Sequence, residues 1–320
     1  MVADEYTTEE IRHIFHLQPD ISALLGLPVV ERLKALEKDI WIEYPKVEKA
    51  LKSMKELLWH EKRTRMPNLL VIGPTNNGKT MLKEKFYRFN QEPFGQDELD
   101  VKAYPNNPRI VMLRIITMQM PTAPSLRRFL LALADGVGQF RHFSDMVVSA
   151  MERELYKIIK DLQVQMIMID ELHNILAGAN KQQLELLNML RYLGNELKVP
   201  LVCFGTKDAY LAIQRDPQLE NRFEPIVLPL WRAGREFELL LDSFITVLPL
   251  KYPSDLRQPA IVKLLLARSE GILGEVATIL KQAAAKAIET GQEMIDLKLL
   301  ESIDYQSPTE RRKDFARISA

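Results

Sequence analysis

The sequence has one cysteine, few histidines and no long apolar run, and each scarcity excludes a class of protein. Because Cys203 is the single cysteine in 320 residues, no disulfide can form within the chain, which fits a reducing cytoplasm. Cys203 lies in an apolar run and is expected to pack in a core. The five histidines have no metal-ligand spacing, so a zinc site is not expected.

The sequence also lacks membrane-spanning segments and an excess of charge of either sign. No run approaches the roughly 20 apolar residues of a transmembrane helix, and residues 1–5 lack the basic and apolar parts of a signal peptide. We therefore expect a cytoplasmic protein with no membrane partner. Since 43 basic and 43 acidic residues give a net charge of zero, any nucleic-acid-binding face must be a local patch.

What the chain does contain is an alternation of short apolar runs with helical stretches. The runs occupy residues 69–72, 110–116, 166–169, 201–204 and 226–228. Such runs are typical of strands buried on both faces of a parallel sheet. Strands that alternate with helices predict an α/β core, in which a parallel sheet lies between helices. An amphipathic helix is predicted at residues 45–62, ahead of the first strand.

The pattern changes after Pro229. Residues 233–299 contain no convincing strand and are typical of helices that are broken at Pro249, Pro253, Gly271, Gly274 and Gly291. We predict an N-terminal helical extension, an α/β core, a small C-terminal helical lid domain and a polar tail, at residues 1–40, 41–232, 233–303 and 304–320.

A phosphate-binding loop follows the first predicted strand. Residues 73–80 read Gly-Pro-Thr-Asn-Asn-Gly-Lys-Thr and match GxxxxGK[ST] in full, with a predicted helix at 81–89 behind them. In such loops backbone N–H groups surround phosphate oxygens, the lysine reaches the β- and γ-phosphates, and the last hydroxyl binds Mg²⁺. The predicted ATP-binding residues are Gly73, Pro74, Thr75, Asn76, Asn77, Gly78, Lys79, Thr80 and Met81.

An acidic pair ends the third predicted strand, at Asp170 and Glu171. Asp170 is placed to hold Mg²⁺ together with Thr80, and Glu171 to act as the general base on the attacking water. An Asp-Glu pair that merely caps a surface helix is the alternative. The preceding apolar strand and the phosphate loop favour the catalytic interpretation, which makes the protein an ATPase with Lys79 and Glu171 as catalytic residues.

Two further residues are candidates for sensing the nucleotide. Thr206 follows the fourth predicted strand, where a hydroxyl can contact the γ-phosphate, although it could equally cap the helix that follows. Arg222 is placed to reach into a neighbouring subunit's site and stabilise transition-state charge. A surface salt bridge is the alternative role for Arg222.

With these motifs, the chain resembles the TniB family of transposition regulators, which is related to the TnsC ATPases of transposons. The matching stretches are residues 65–70, 73–80, 169–178, 193–197, 216–225 and 248–254. The resemblance runs from about residue 30 to 305. Its segments Asp-Glu-Leu-His-Asn and Gln-Leu-Glu-Asn-Arg-Phe are far more specific than the phosphate loop.

The resemblance implies an AAA+ ATPase that assembles with ATP as a hexameric ring or a helical filament on double-stranded DNA. It implies that the assembly marks an insertion site and recruits or activates a DDE transposase, commonly with a TniQ-like target-selection adaptor. By the same resemblance Arg222 is the arginine finger that acts in trans. Many AAA+ proteins carry a sensor arginine in the helical domain, but the matching residues 271–276 contain none. Slow, switch-like hydrolysis is therefore expected.

DNA-contacting residues are predicted only weakly by the sequence. In TnsC-like proteins the elements after the second core strand line the ring interior, which makes Arg127, Arg128 and Arg141 the candidates. They would contact phosphates without reading base sequence. A solvated helix-face charge is the alternative for each. Two other basic clusters are residues 62–65 and 311–313, the second of which could serve a protein partner.

Three other functions share part of this evidence. A helicase loader or replication-initiator-like AAA+ ATPase would carry the same motifs but prefer a helicase or single-stranded DNA. A small-molecule kinase would need an acceptor pocket and a basic lid, and the helical C-terminal part and the Arg222 segment argue against it. A nucleotide-binding scaffold without useful hydrolysis would have no need of Glu171.

Overall fold

The computed structural model describes residues 16–91 and 114–318. These residues form two compact units. The first, which we call the sheet unit, is Lys46–Leu228, and the second, the helical unit, is made of the described parts of Met1–Pro45 and Pro229–Ala320. The sequence analysis divides the chain into four segments instead, and that division stays a prediction. The grouping of residues 16–45 with the C-terminal helices results from long-range packing, which has no local sequence signal.

The sheet unit is built on a parallel sheet. Its strands are β1 (Asn68–Ile72), β2 (Ile115–Gln119), β3 (Met166–Asp170), β4 (Leu201–Gly205) and β5 (Phe223–Val227). They lie in the order β2-β3-β4-β1-β5, and every neighbouring pair is parallel. Every residue of β3 and of β4 is buried, as expected for central strands covered by helices on both faces.

Helices of eight or more residues precede, connect and follow these strands. In chain order they are α1 (Val29–Glu37), α2 (Pro45–Leu58), α3 (Lys79–Asn90), α4 (Leu126–Gly136), α5 (Val148–Asp161), α6 (Asn180–Tyr192), α7 (Lys207–Gln214), α8 (Arg235–Ile245), α9 (Pro259–Ser269), α10 (Leu273–Thr290) and α11 (Pro308–Ile318). Shorter helical segments are Pro19–Ser22, Ala23–Gly26, Phe140–Phe143, Leu172–Ala177, Leu193–Leu197, Pro217–Glu220 and Leu297–Glu301. None of the described helices is both long and apolar enough to span a membrane.

The α/β sheet predicted from the apolar runs is confirmed, with changes at its borders. Residues 110–113 of the second run lie outside the described residues, and β2 continues to Gln119, past the end of that run. β5 begins at Phe223, three positions before the predicted run. The apolar pattern missed this first part of the strand because Pro225 and the exposed Glu224 interrupt it. The helix predicted at 45–62 ends at Leu58.

The core of the sheet unit packs β2 and β3 against α4, α5 and α6. Phe129 of α4, Leu155 of α5 and Leu186 of α6 are all fully buried in this cluster. The thiol of Cys203 on β4 is also fully buried, which raises its pKa and confirms the expected packing role.

The described residues of the helical unit form helices and no strand. α1 packs on α10, and a buried ion pair joins the N-terminal and C-terminal parts of the unit, with Arg32 Nη2 2.5 Å from Glu293 Oε2. Arg32 also donates to the carbonyl oxygen of Pro249. The positive φ of 74° at Gly271 and its contact with the Trp231 backbone leave no room for a side chain.

Two features of this unit differ from the sequence analysis. Gly274 was expected at a helix break, but it is the second residue of α10, because the turn is made by Gly271 before it. The residues expected as a polar tail include a helix, α11, whose Arg311 lies 2.6 Å from the buried carboxylate of Glu275. A long-range ion pair of this kind cannot be recognised from local composition.

Candidate nucleotide site

The loop between β1 and α3 has the backbone of a phosphate cradle. Asn76 and Gly78 have positive φ angles of 59° and 82°, which turn the chain sharply before the first turn of α3. Gly73 is fixed as glycine, because a Cβ there would lie 2.7 Å from the carbonyl oxygen of Leu228. Loops of this type point successive backbone N–H groups at one anion, next to a helix N-terminus that favours negative charge.

Lys79 begins α3 and lies folded over the loop. Its Nζ donates to the carbonyl oxygens of Gly73, at 2.9 Å, and Pro74, at 2.6 Å. Burial lowers the pKa of Lys79, and the neighbouring carboxylates of Glu171 and Asp170 act in the opposite direction. An anion such as a phosphate would stabilise the ammonium in place of these carbonyls.

Asp170 ends β3 and is 3% exposed. Its Oδ2 accepts from the Thr80 hydroxyl at 3.2 Å and from Lys83 Nζ at 3.0 Å, and its Oδ1 accepts from the backbone N–H of Glu171 at 2.9 Å. The structure therefore brings together Thr80 and Asp170, the two residues predicted to hold Mg²⁺, although 90 positions separate them.

The oxygen pair of Thr80 and Asp170 fits a hard cation. Mg²⁺ takes oxygen ligands and is usually held by one or two protein groups, several waters and the phosphates of a substrate. Among residues 16–91 and 114–318, no group of three or more His, Cys, Asp or Glu side chains could hold a metal ion by itself. This donor set suits a cation that arrives with a phosphate ligand rather than a permanently bound one.

Lys83 is a site residue that the sequence analysis missed. It lies one turn after Lys79 on α3, is 9% exposed, and also approaches Glu84 Oε1 at 3.5 Å. Its ammonium is thus a counterion for Asp170 in the position next to the expected metal. The i, i+4 spacing from Lys79 puts both lysines on one helix face, which is the signal that could have identified it.

Glu171 has a left-handed backbone, with φ 54° and ψ 38°. A non-glycine residue in this region is strained by roughly 1–3 kcal/mol, and such strain tends to occur at functional sites. The turn places Glu171 Oε2 3.1 Å from Nε2 of His173, both partly exposed. The other ring nitrogen of His173 is buried and has no hydrogen-bond partner among the described residues.

Thr206 is placed after β4 and makes the alternative contact considered for it. Its Oγ1 accepts from the backbone N–H of Asp208 at 3.4 Å and so caps α7. A contact of Thr206 with a γ-phosphate stays a prediction.

Arg222 does not lie near the phosphate loop of its own chain. It directly precedes β5, and its guanidinium donates to Asn195 Oδ1 at 2.6 Å. The backbone N–H of Asn68, the first residue of β1, donates to the carbonyl oxygen of Arg222. Arg222 is therefore at the amino-terminal end of β1, whereas the loop is at its carboxyl-terminal end. Five strand residues at about 3.3 Å each separate the two by roughly 16 Å.

The candidate DNA-contacting arginines have different environments. Arg127 on α4 is partly buried and donates to the carbonyl oxygens of Ser144 and Met146, so it holds the 140–146 segment. Arg128 is exposed and donates to the carbonyl oxygen of Ala123. Arg141 is exposed in the short helix Phe140–Phe143. The structural contacts of Arg127 make it the weakest of the three candidates.

Solved structures share this fold with the chain. The Aeropyrum pernix ORC2 protein in ADPNP–ADP complexes aligns with a TM-score of 0.55 and 14% identity, over 83% of this chain and 70% of that chain. The Aeropyrum pernix ORC1 protein in complex with DNA aligns with a TM-score of 0.54 and 18% identity, over 83% and 65%. Drosophila ORC bound to DNA aligns with a TM-score of 0.51 and 12% identity, over 92% and 71%. Identities this low show the fold alone.

The fold is that of an AAA+ P-loop protein, with a parallel sheet between helices and a helical C-terminal region. No curated protein sequence matches the chain. The model of the family described as bacterial TniB protein matches residues 32–233, more than half of the sequence. The chain therefore belongs to the TniB family of AAA+ ATPases.

Proposed function

We propose that this protein is an ATP-dependent regulator of DNA transposition that assembles on double-stranded DNA. The observation that carries the proposal is the contact of Thr80 and Asp170 beside the buried Lys79, in a chain of the TniB family. ATP would bind with its phosphates in the 73–78 loop and on Lys79. The nucleotide-bound state of the Aeropyrum pernix ORC2 structure, which shares the fold, supports this choice of ligand.

Hydrolysis of ATP to ADP and phosphate would use Glu171. Its carboxylate follows Asp170 directly and is partly exposed, which suits a general base that must reach a water molecule. Mg²⁺, held by Thr80 and Asp170 with the phosphates, would neutralise charge that develops on the transferred phosphoryl group. Turnover is expected to be slow and switch-like, since residues 271–276 contain no arginine.

Arg222 is proposed to complete the site of a neighbouring copy. Its distance from the loop of its own chain, the length of β1, favours action in trans. Copies joined in this way meet head to tail, and such contacts generate either a closed ring or a helical filament. A hexameric ring and a filament on DNA are therefore both compatible with the proposal.

DNA binding would use exposed basic residues, of which Arg128 and Arg141 are the first candidates. Two structures with the same fold, Aeropyrum pernix ORC1 and Drosophila ORC, were solved with DNA, which supports this choice of partner. By family membership we propose a DDE transposase and a TniQ-like adaptor as protein partners. The same ORC likeness favours a second candidate, a helicase-loader or initiator-like ATPase, which would prefer a helicase or single-stranded DNA.

The proposal predicts that DNA binding depends on nucleotide. The purified protein should bind duplex DNA cooperatively with a non-hydrolysable ATP analogue and at least tenfold more weakly with ADP, measured by fluorescence anisotropy at stated salt. Lys79→Ala removes the phosphate contact and Arg222→Ala the neighbour contact, so both should abolish this dependence. If the affinity for duplex DNA is the same with every nucleotide and in both variants, the DNA-bound assembly is refuted. Preference for single-stranded DNA would favour the loader-like function.

Lys83 leads to a separate prediction about Mg²⁺. Because its ammonium lies 3.0 Å from the Asp170 oxygen, it competes for that oxygen with an incoming cation. Lys83→Met should lower the Mg²⁺ concentration that half-saturates binding of a fluorescent ATP analogue by roughly tenfold, about 1.4 kcal/mol of removed repulsion. Lys83→Arg keeps the charge and serves as the control. A higher Mg²⁺ requirement in Lys83→Met would show that Lys83 supports the site instead.

A further inference from the structure

A basic pocket of about 480 Å³ opens at the amino-terminal ends of β1 and β5 in the sheet unit. Its walls include the side chains of Arg63, Arg65 and Arg222, with the amides of Gln218 and Asn221 beside them and buried Met66 below. We call this the arginine pocket. The function proposed above uses only one of its arginines, Arg222.

No described residue neutralises the charge of the arginine pocket. Three guanidinium groups line it, and no carboxylate does. Two acidic residues adjoin its lining in sequence, and both have other partners: Asp216 pairs with Arg191, and Glu220 accepts from Gln214 Nε2. Among the described residues neither Arg63 nor Arg65 makes an ion pair. Three like charges around one opening repel one another, and an anion with several charges would relieve that repulsion.

The shape of guanidinium groups narrows the class of anion. Their planar donor forks match phosphate oxygens in pairs, and several arginines together suit a polyphosphate better than a single carboxylate. Arg222 is already held by Asn195, while Arg63 and Arg65 are exposed. The pocket thus combines the guanidinium of Arg222, which is fixed by a hydrogen bond, with the exposed guanidinium groups of Arg63 and Arg65, which are free to reorient toward a ligand.

The ligand cannot be the nucleotide of the same chain. Pocket and phosphate loop lie at opposite ends of β1, roughly 16 Å apart along five strand residues. A polyphosphate that binds in the arginine pocket must therefore come from outside this chain. A second copy of this chain presents one in its own loop.

We propose that the arginine pocket binds the phosphates of a nucleotide held by a neighbouring copy, with Arg63 and Arg65 acting together with Arg222. This inference rests on the proposed function, because it needs copies that bind ATP. It adds two residues, from the segment before β1, to the contact between copies. Arg63 and Arg65 bind the bound nucleotide as a polyanion, so they govern assembly as well as turnover.

Assembly without DNA is the first test. The probe is a non-hydrolysable ATP analogue with Mg²⁺, and oligomers are followed by sedimentation velocity across protein concentrations. Arg63→Ala and Arg65→Ala should each raise the concentration needed for assembly about tenfold, as expected for losing a charge-assisted contact. Lys62→Ala is the matched control, an exposed neighbouring cation that does not line the pocket. Its assembly should equal that of the wild type.

Mixing variants tests whether the contact is made in trans. Arg65→Ala should still bind a fluorescent ATP analogue as the wild type does, since its own loop is intact, yet hydrolyse ATP slowly. The Lys79→Ala variant should not bind the fluorescent ATP analogue. A mixture should regain hydrolysis, because an intact pocket then faces an intact loop. If the mixture stays as slow as its parts while both variants melt at the wild-type temperature, the trans contact is excluded.

The results separate three cases. If wild-type protein does not bind the ATP analogue, or does not assemble with it even on duplex DNA, the proposed function fails and this inference with it. If it assembles and the two arginine variants assemble equally well, only this inference is overturned. If those variants instead lose nucleotide-independent binding to duplex DNA while their assembly is unchanged, the pocket binds DNA phosphates and the inference is again overturned.

Discussion

Replacing Glu171 with glutamine should slow ATP hydrolysis by roughly 100-fold or more, while affinity for ATP changes by less than about threefold. Glutamine keeps the size of the side chain and can still accept a hydrogen bond from His173 Nε2, 3.1 Å from the present carboxylate. It cannot take a proton from water. The loss should therefore appear in kcat, not in binding.

Phosphate release measures the rate for this variant, and a fluorescent ATP analogue measures its affinity. Glu48→Gln, on the exposed face of α2 in the same unit, is the control for a change of charge and should leave both values unaltered. Because the variant would keep ATP bound, its DNA-bound assembly should be long-lived. Equal turnover in Glu171→Gln and wild type would instead support a nucleotide-binding scaffold without a general base.

Replacing Arg32 with alanine should destabilise the helical unit by about 3–5 kcal/mol, the cost of leaving a buried charge without its partner. Arg32 is 3% exposed and Glu293 7% exposed, so water cannot take over the lost contact. The carbonyl oxygen of Pro249 loses its donor as well. Thermal or urea unfolding of the purified variants measures the change.

A double variant separates the ion pair from the packing around it. When Arg32 and Glu293 are both replaced with methionine, no charge is left buried, and stability should return to within about 2 kcal/mol of the wild type. A single Arg32→Ala variant as stable as the wild type would show that Glu293 finds water or another cation.

The same pair makes stability depend on pH. Burial raises the pKa of Glu293, but the hydrogen bond and charge of Arg32 outweigh it, so the pKa lies below its ordinary value of 4.5. The pair therefore contributes fully above pH 4.5, and this contribution is lost as the pH falls through the lowered value. The stability of the wild type should therefore fall relative to that of the double variant in that acidic range.

The sequence predicts this molecule best where one short segment carries the whole signal. The loop at 73–80 and the acids at the end of β3 are local patterns, so their position beside strands follows from the residues alone. The contact of Thr80 with Asp170 could also be anticipated, because parallel strands end at the same edge of a sheet. Lys83 was missed because its significance depends on a carboxylate 87 positions away.

Structural roles of charged residues were the least predictable part. The sequence suggests Arg127 as a DNA-contacting residue, yet its guanidinium donates to the carbonyl oxygens of Ser144 and Met146. The sequence places Arg311 in a polar tail, yet in the structure it forms an ion pair with Glu275 of α10. In both cases a guanidinium satisfies partners that only the folded chain brings near. Arg63 and Arg65 are the opposite case: they line a pocket, and neither forms an ion pair with any residue that the structure describes.

The parallel strands of the sheet unit also give any row of copies a direction. The sheet has the phosphate loop at its carboxyl-terminal edge and the arginine pocket at its amino-terminal edge, so no copy can exchange these roles by turning around. In an open row the last copy on one side would hold an uncovered nucleotide, and the last copy on the other an unfilled pocket. Nucleotide exchange, growth and loss would then proceed differently at the two termini. Such a filament would be polar, with a defined orientation along the DNA axis.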